Sequence, residues 1–178
     1  MRFVFVSQRK HHALVKAAMS PKKDAQYELL ELFHFGFRGI VGDVDAFLGK
    51  LGLNRSHHRI LYFIARAGHI PLGNLIEILG VSRQAVHRPL KQLAEADYVK
   101  MEPLESNRRV MVLSLTRSGA DLERKITGMQ VDYFRDVEAE TGAEAIEGWK
   151  DVMRQFSGRT AYEDLDSLLG RSRSKRDP

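Results

Sequence analysis

Between residues 82 and 91 the chain reads SRQAVHRPLK, and its polar side chains recur at steps of three and four. On a helix this spacing puts Arg83, Gln84, His87, Arg88 and Lys91 outward and Ala85, Val86, Leu90 and Leu93 inward. Ser82 stands where a helix start needs an oxygen to satisfy its free backbone N–H groups. Three cations and no acid fall within residues 83–91, whereas an ordinary solvated helix mixes both signs. Such a face suits a polyanion. An arginine can span a guanine edge or a phosphate, and Gln84 can pair with adenine, so the expected chemistry is recognition of double-stranded DNA in the major groove. A second cationic group, Asn107-Arg108-Arg109, lies in a polar stretch further on. Guanidinium groups placed there can enter a narrow minor groove, where the negative potential is enhanced.

These side chains need a scaffold, and the surrounding residues predict one. Pro71 opens a short helix carrying Leu72, Leu75, Ile76 and Leu79, and Gly80 closes it before the Ser82 cap. Upstream, Ser56 to Ala67 reads as a helix with Ile60, Leu61 and Ile64 as its apolar stripe, stopped by Gly68. Downstream the period changes to two. Tyr98 to Glu102 and Val110 to Leu115 read as strands joined by the loop PLESNRR, a hairpin with a basic tip. A longer helical pattern from Asp24 to about Leu51 carries Tyr27, Leu30, Phe33, Phe37, Ile40, Val44 and Phe47, with Asp24 as its cap. Gly36, Gly39 and Gly42 predict a bend or a close approach within it. Thr116 caps a helix running to about Glu140, and Ala143 to Phe156 forms a last one with Ile146, Trp149, Met153 and Phe156 on one face.

Composition sets the limits. The chain has 178 residues, 43% of them hydrophobic and 29% charged, which is globular rather than disordered. No stretch approaches the roughly 20 apolar residues that span a bilayer, and the opening MRFVFVSQRK is a poor secretory signal. The lack of cysteine removes disulfide, thiolate-zinc and thiol chemistry and fits a cytoplasmic protein. The net charge of +5 belongs to the ends. Residues 1–23 hold six Lys/Arg and no acid, and residues 171–178 hold four and one Asp, so residues 24–170 carry a net −4. The case for DNA therefore rests on the folded part and not on the high pI.

The runs LGVSRQAVHRPLKQLAEADYV and NRRVMVLSLTRSG resemble the MarR (multiple antibiotic resistance regulator) family, whose pattern is a capped recognition helix, a wing ending in D-x-R, and L-T-x-x-G. The resemblance covers roughly residues 25–157, and its block at 72–119 is specific. It implies a mainly α fold with a small β-hairpin wing (α+β): a winged helix-turn-helix lobe plus a helical dimerisation region. The expected organisation is a basic arm over 1–23, a MarR-like domain over 24–157 and a basic tail over 158–178. Within the domain, the DNA-binding lobe takes about 54–116 and the dimerisation helices about 24–51 and 117–157. Carried over, Arg83, Gln84, His87 and Arg88 face bases and phosphates, and Arg109 is the wing-tip arginine; Ser82, Lys91, Asn107 and Arg108 complete the expected DNA contacts.

The sequence departs from that pattern at three positions. Asn107 replaces the usual Asp, so a neutral hydrogen bond must do what a salt bridge does for the wing arginine. Asp97 occupies a position usually held by Gly, at a helix end expected to be left-handed. Pro89 lies inside the recognition helix, where it cannot donate to the Ala85 carbonyl, so a kink is expected.

The resemblance also implies a small-molecule effector pocket, with His34, Phe37, Arg38, His57 and Tyr62 as its residues by analogy. A zinc site assembled from His34 with His57 or His58 is an alternative use of the histidines, although neither adjacent pair, His11-His12 or His57-His58, chelates by itself. No phosphate loop, nucleophile elbow or paired-carboxylate motif supports catalysis, and no cofactor or metal is expected. Three readings fit these residues: a homodimeric, ligand-responsive repressor of a palindromic operator; a winged-helix protein-interaction module with weakened DNA binding; and a zinc-responsive regulator.

Overall fold

The computed structural model describes residues 21–158, 160–162 and 164–170. Of the expected basic arm over 1–23 and tail over 158–178, residues 1–20 and 171–178 lie outside them, while 21–23 belong to a helix and 165–168 form a short one. The elements run α1 (Pro21–Lys50), α2 (Arg55–Ala67), β1 (His69–Pro71), α3 (Leu72–Leu79), α4 (Arg83–Glu95), β2 (Val99–Leu104), β3 (Asn107–Leu115), α5 (Arg117–Thr141), α6 (Ala143–Ser157) and α7 (Leu165–Leu168). Among the described residues the backbone divides into two compact units, which part between Val41 and Gly42.

In the first unit α1 starts at Pro21 rather than at Asp24, since a proline suits a first helical turn, where its missing N–H costs nothing. The helix stays continuous through its glycines to Lys50. Its large apolar side chains face outward: Leu29, Leu30, Leu32, Phe33 and Phe35 are each 60–68% exposed. Tyr27 and Phe37 are exposed as well, and of the sequence-predicted apolar stripe only Val44, in the second unit, is fully buried, with Ile40 and Phe47 partly so.

The second unit is built round one core. Ile60, Leu61 and Ile64 of α2 meet Leu75 of α3, Val86, Leu90 and Leu93 of α4, Leu113 of β3 and Ile126 of α5. Asn54 caps α2: its side-chain oxygen accepts the Ser56 N–H at 2.9 Å, and the His57 ring closes the reciprocal half of the box. Helix α2 thus begins at Arg55, one residue before the sequence suggested. Pro71 is not the first residue of α3. It is extended, at φ −60° and ψ 138°, and closes β1, a strand the sequence did not predict.

The sheet is antiparallel with order β1-β3-β2. β2 and β3 extend to Leu104 and from Asn107, so the expected seven-residue loop shrinks to a turn of Glu105 and Ser106. An exposed ladder is held by backbone bonds, and its polar side chains do not oppose it. The end of α4 and the start of α5 are tied together. Asp97 is left-handed at φ 56°, as expected. The Thr116 hydroxyl donates to the Asp97 carbonyl at 2.6 Å and accepts the Gly119 N–H at 3.0 Å, while Ser118 donates to the same carbonyl at 2.7 Å. None of the helices among the described residues is long and apolar enough to cross a membrane.

Candidate nucleic-acid interface

Helix α4 owes its start to Ser82, whose hydroxyl accepts the Ala85 N–H at 3.3 Å. We expect Ser82→Ala to cost about 1 kcal/mol of stability, read as a lower midpoint in urea unfolding; an unchanged midpoint would show that the cap contributes nothing. Val86, Leu90 and Leu93 bury one side of α4, and Ser82, Arg83, Gln84, His87, Arg88 and Lys91 are all exposed on the other. Ala85 is exposed too, against the expectation, because it lies 100° round the helix from Val86. α4 remains helical on both sides of Pro89, which is half-buried. The face is not wholly one-signed at its far end. Lys91 meets Glu95 at 3.6 Å, a surface pair worth little, while Arg83, Arg88 and His87 carry no such acid on α4. A groove of about 510 Å³ runs along this flank, bringing Leu72 of α3 and Met101 of β2 beside Arg83, His87 and Lys91.

The wing tip has a shape the sequence did not suggest. Pro103 pairs with Met111 and Leu104 with Asn107, so one step on β2 spans four on β3. Arg108, Arg109 and Val110 therefore have no register partner and bulge from the ladder. Bulges re-aim side chains and increase local twist. Asn107 accepts the backbone N–H of Arg109 at 3.1 Å, so it fixes the arginine's main chain where the family's Asp would hold its guanidinium. Arg108 and Arg109 are exposed.

Two buried histidines lie behind this surface. His57 Nδ1 lies 3.1 Å from the Asn54 backbone N and 3.0 Å from its Oδ1, and Nε2 lies 2.9 Å from the Gln92 Oε1 of α4. The start of α2 is thereby tied to α4. Gln92 was not among the sequence-predicted residues, because its partner lies 35 positions away. Both ring nitrogens are engaged, so a metal could take one only by breaking the cap or the tie. Among the described residues, His, Asp and Glu form no group of three that could hold a metal ion.

His58 packs edge-on to Tyr62 and approaches the Thr127 hydroxyl at 3.5 Å, and Thr127 donates to buried Glu123 at 2.6 Å. Burial lowers the His58 pKa from its ordinary 6.5, outweighing the opposite pull of Glu123 and Asp45. The unfolded chain therefore takes up this proton first, and stability falls as pH drops below about 6.5 until the folded ring protonates as well. A thermal-unfolding series across that range should slope for the native protein and flatten for His58→Gln. Equal slopes would remove His58 as the cause.

Of the residues assigned to an effector pocket, Tyr62 is half-buried beneath the Arg66 guanidinium, 5.3 Å from its ring centre, and His57 is spent on the cap. His34, Phe37 and Arg38 belong to the first unit and are exposed there, His34 edge-on to Phe35.

A capped helix with an outward cationic face, preceded by a short helix and followed by a bulged hairpin, defines a winged helix-turn-helix protein. The MarR family profile matches residues 51–110. The HTH-type transcriptional regulator PetP of Rhodobacter capsulatus is 32% identical over 124 residues, covering 70% of this chain and 75% of PetP. The chain belongs to the MarR family of transcriptional regulators. Solved structures agree in fold. A mutant MarR from E. coli complexed with operator DNA aligns with a TM-score of 0.62 at 19% identity, over 77% of this chain and 99% of that one. NadR in complex with 4-hydroxyphenylacetate aligns at 0.56 and 18%, over 79% and 95%.

Proposed function

We propose that this protein is a cytoplasmic homodimer that binds a roughly palindromic operator in double-stranded DNA and represses transcription from it until a small effector binds. The observation that carries the reading is the outward face of α4, with Arg83, Gln84, His87 and Arg88 exposed, in the same lobe as the bulged Arg108-Arg109 tip. A recognition helix of this kind enters the major groove, and a wing arginine reaches the adjacent minor groove. The solved relative held on operator DNA supports this use of the fold, and the one holding 4-hydroxyphenylacetate supports an effector.

Dimerisation is supported by the apolar side chains α1, α5 and α6 leave outside: Leu30 and Phe33 on the first, Tyr133 on the second, Trp149 and Phe156 on the third. A single chain rarely leaves so much aromatic and aliphatic surface in water. Two copies present two recognition helices, so operator symmetry mirrors protein symmetry.

The test is selection from a genomic DNA library, followed by affinity measurement across a salt series and sedimentation of the free protein. A recovered palindrome, a steep salt dependence and a dimer mass support the reading. A dimer that binds every sequence equally weakly would favour the second reading, a winged-helix module for protein partners. That reading draws on Pro89 within α4 and on Asn107 in place of the family's Asp.

A further inference from the structure

Helix α4 is held in its lobe in two physically different ways. Val86, Leu90 and Leu93 are buried in the core. Apolar burial is non-directional, so it fixes which side of the helix faces inward but tolerates a small turn or slide. A hydrogen bond is directional and does not. Among the described residues, the side chains of α4 make one hydrogen bond outside their own helix: Gln92 Oε1 lies 2.9 Å from Nε2 of His57 on α2. That ring is itself fixed. His57 is 2% exposed, and its Nδ1 sits against both the backbone N and the side-chain oxygen of Asn54, the cap of α2. A buried polar ring costs stability unless its nitrogens are partnered, whereas an apolar side chain of similar volume makes no such demand. His57 thus serves α4 as a rigid reference point on α2 rather than as extra adhesion.

The tie bears on the outward face of the helix. Gln92 stands four residues after exposed Arg88, about one turn along the same side of α4. At a helix radius of about 5–6 Å, a rotation of about 20° carries a side chain about 2 Å sideways. Base contacts need placement to about 0.5 Å, so such a rotation loses them. Phosphate contacts carry no sequence and survive it more easily. Pro89 adds to the need, because it gives no N–H to the Ala85 carbonyl and leaves the ladder of α4 without a rung just before Gln92.

We propose that Gln92 is a positioning residue for operator specificity. Through His57 it sets the rotation of α4, and so decides which base edges Arg88 and its neighbours meet. Its own side chain is spent on the ring. This inference rests on the DNA-binding reading above.

The test uses the full-length chain, the operator duplex recovered by selection and an unrelated duplex of equal length. Gln92→Met keeps the length of the side chain and removes its acceptor. It should lower affinity for the operator by about tenfold, the value of one base contact, and leave the unrelated duplex within about twofold. Gln92→Glu keeps an acceptor oxygen and adds a negative charge, so it should weaken both duplexes alike and preserve their ratio. His57→Leu acts from a buried position that cannot touch DNA. Combined with Gln92→Met, it should lower operator affinity no further than either change alone. Should His57→Leu not fold, the ratios for the two Gln92 variants decide. If Gln92→Met changes both duplexes equally or neither, while Arg88→Ala loses the operator, the positioning role is overturned and the regulator reading stands. The role is overturned as well if Gln92→Glu loses the ratio as Gln92→Met does. Additive losses in the double variant overturn the route through His57. A native chain that prefers no duplex overturns the regulator reading and the positioning role with it.

Discussion

Replacing Arg88 with Ala is expected to weaken binding to the selected operator by about ten- to a hundredfold, the loss of one good base or phosphate contact. The side chain is exposed, with Leu90 and Val86 holding the buried side of the helix, so the fold should not notice the change. The thermal midpoint is thus the control, and it should not move. Arg109→Ala should cost less, since the wing reads a groove with fewer distinguishing groups. The two effects should nearly add, because the arginines lie on separate elements. Unchanged affinity in both variants would mean that DNA, if bound at all, lies elsewhere on the molecule.

The second large effect falls on stability. At Gly119 an added methyl group would overlap the carbonyl oxygen of Tyr98 and crowd its carbon at 2.9 Å. That oxygen already accepts the Thr116 N–H at 3.1 Å, and the Gly119 N–H is itself held by the Thr116 hydroxyl. Neither backbone can yield without opening the join between α4 and α5. Gly119→Ala should therefore cost about 3 kcal/mol and lower the thermal midpoint by roughly 6–12 °C in a chain of this size. DNA affinity should fall as well, since Asp97 and Tyr98 terminate α4. A midpoint within a degree or two of the native value would show that the join has room the geometry denies.

The parts legible in the sequence were those decided within a few residues. Ser82 and Thr116 were readable as caps and Gly68 and Gly80 as stops, because each depends on its own neighbours, while the left-handed end at Asp97 was expected from the family resemblance. The outward side chains of α4 followed from its period. What escaped depends on distant partners. β1 is three residues long and exists because Ile70 pairs with Leu113. Gln92 becomes structural only when His57 is brought beside it. The arginines at 108 and 109 were expected at a wing tip, but the bulge that carries them is a property of the pairing between two strands. On α1 the apolar stripe was legible as a helical period, but that most of it is exposed was not, since periodicity identifies an apolar face without saying what covers it.

The small sheet also bears on how the protein survives in solution before it finds a partner. Its two outer strands are β1 and β2, and an uncovered strand invites another chain to pair with it. One edge offers only three residues. The other carries Lys100, Glu102 and Pro103, and the ladder breaks beside Pro103. A proline cannot donate to an incoming strand, and charged neighbours make its approach costly. The sheet can thus leave two strand edges unpaired while remaining a poor seed for aggregation.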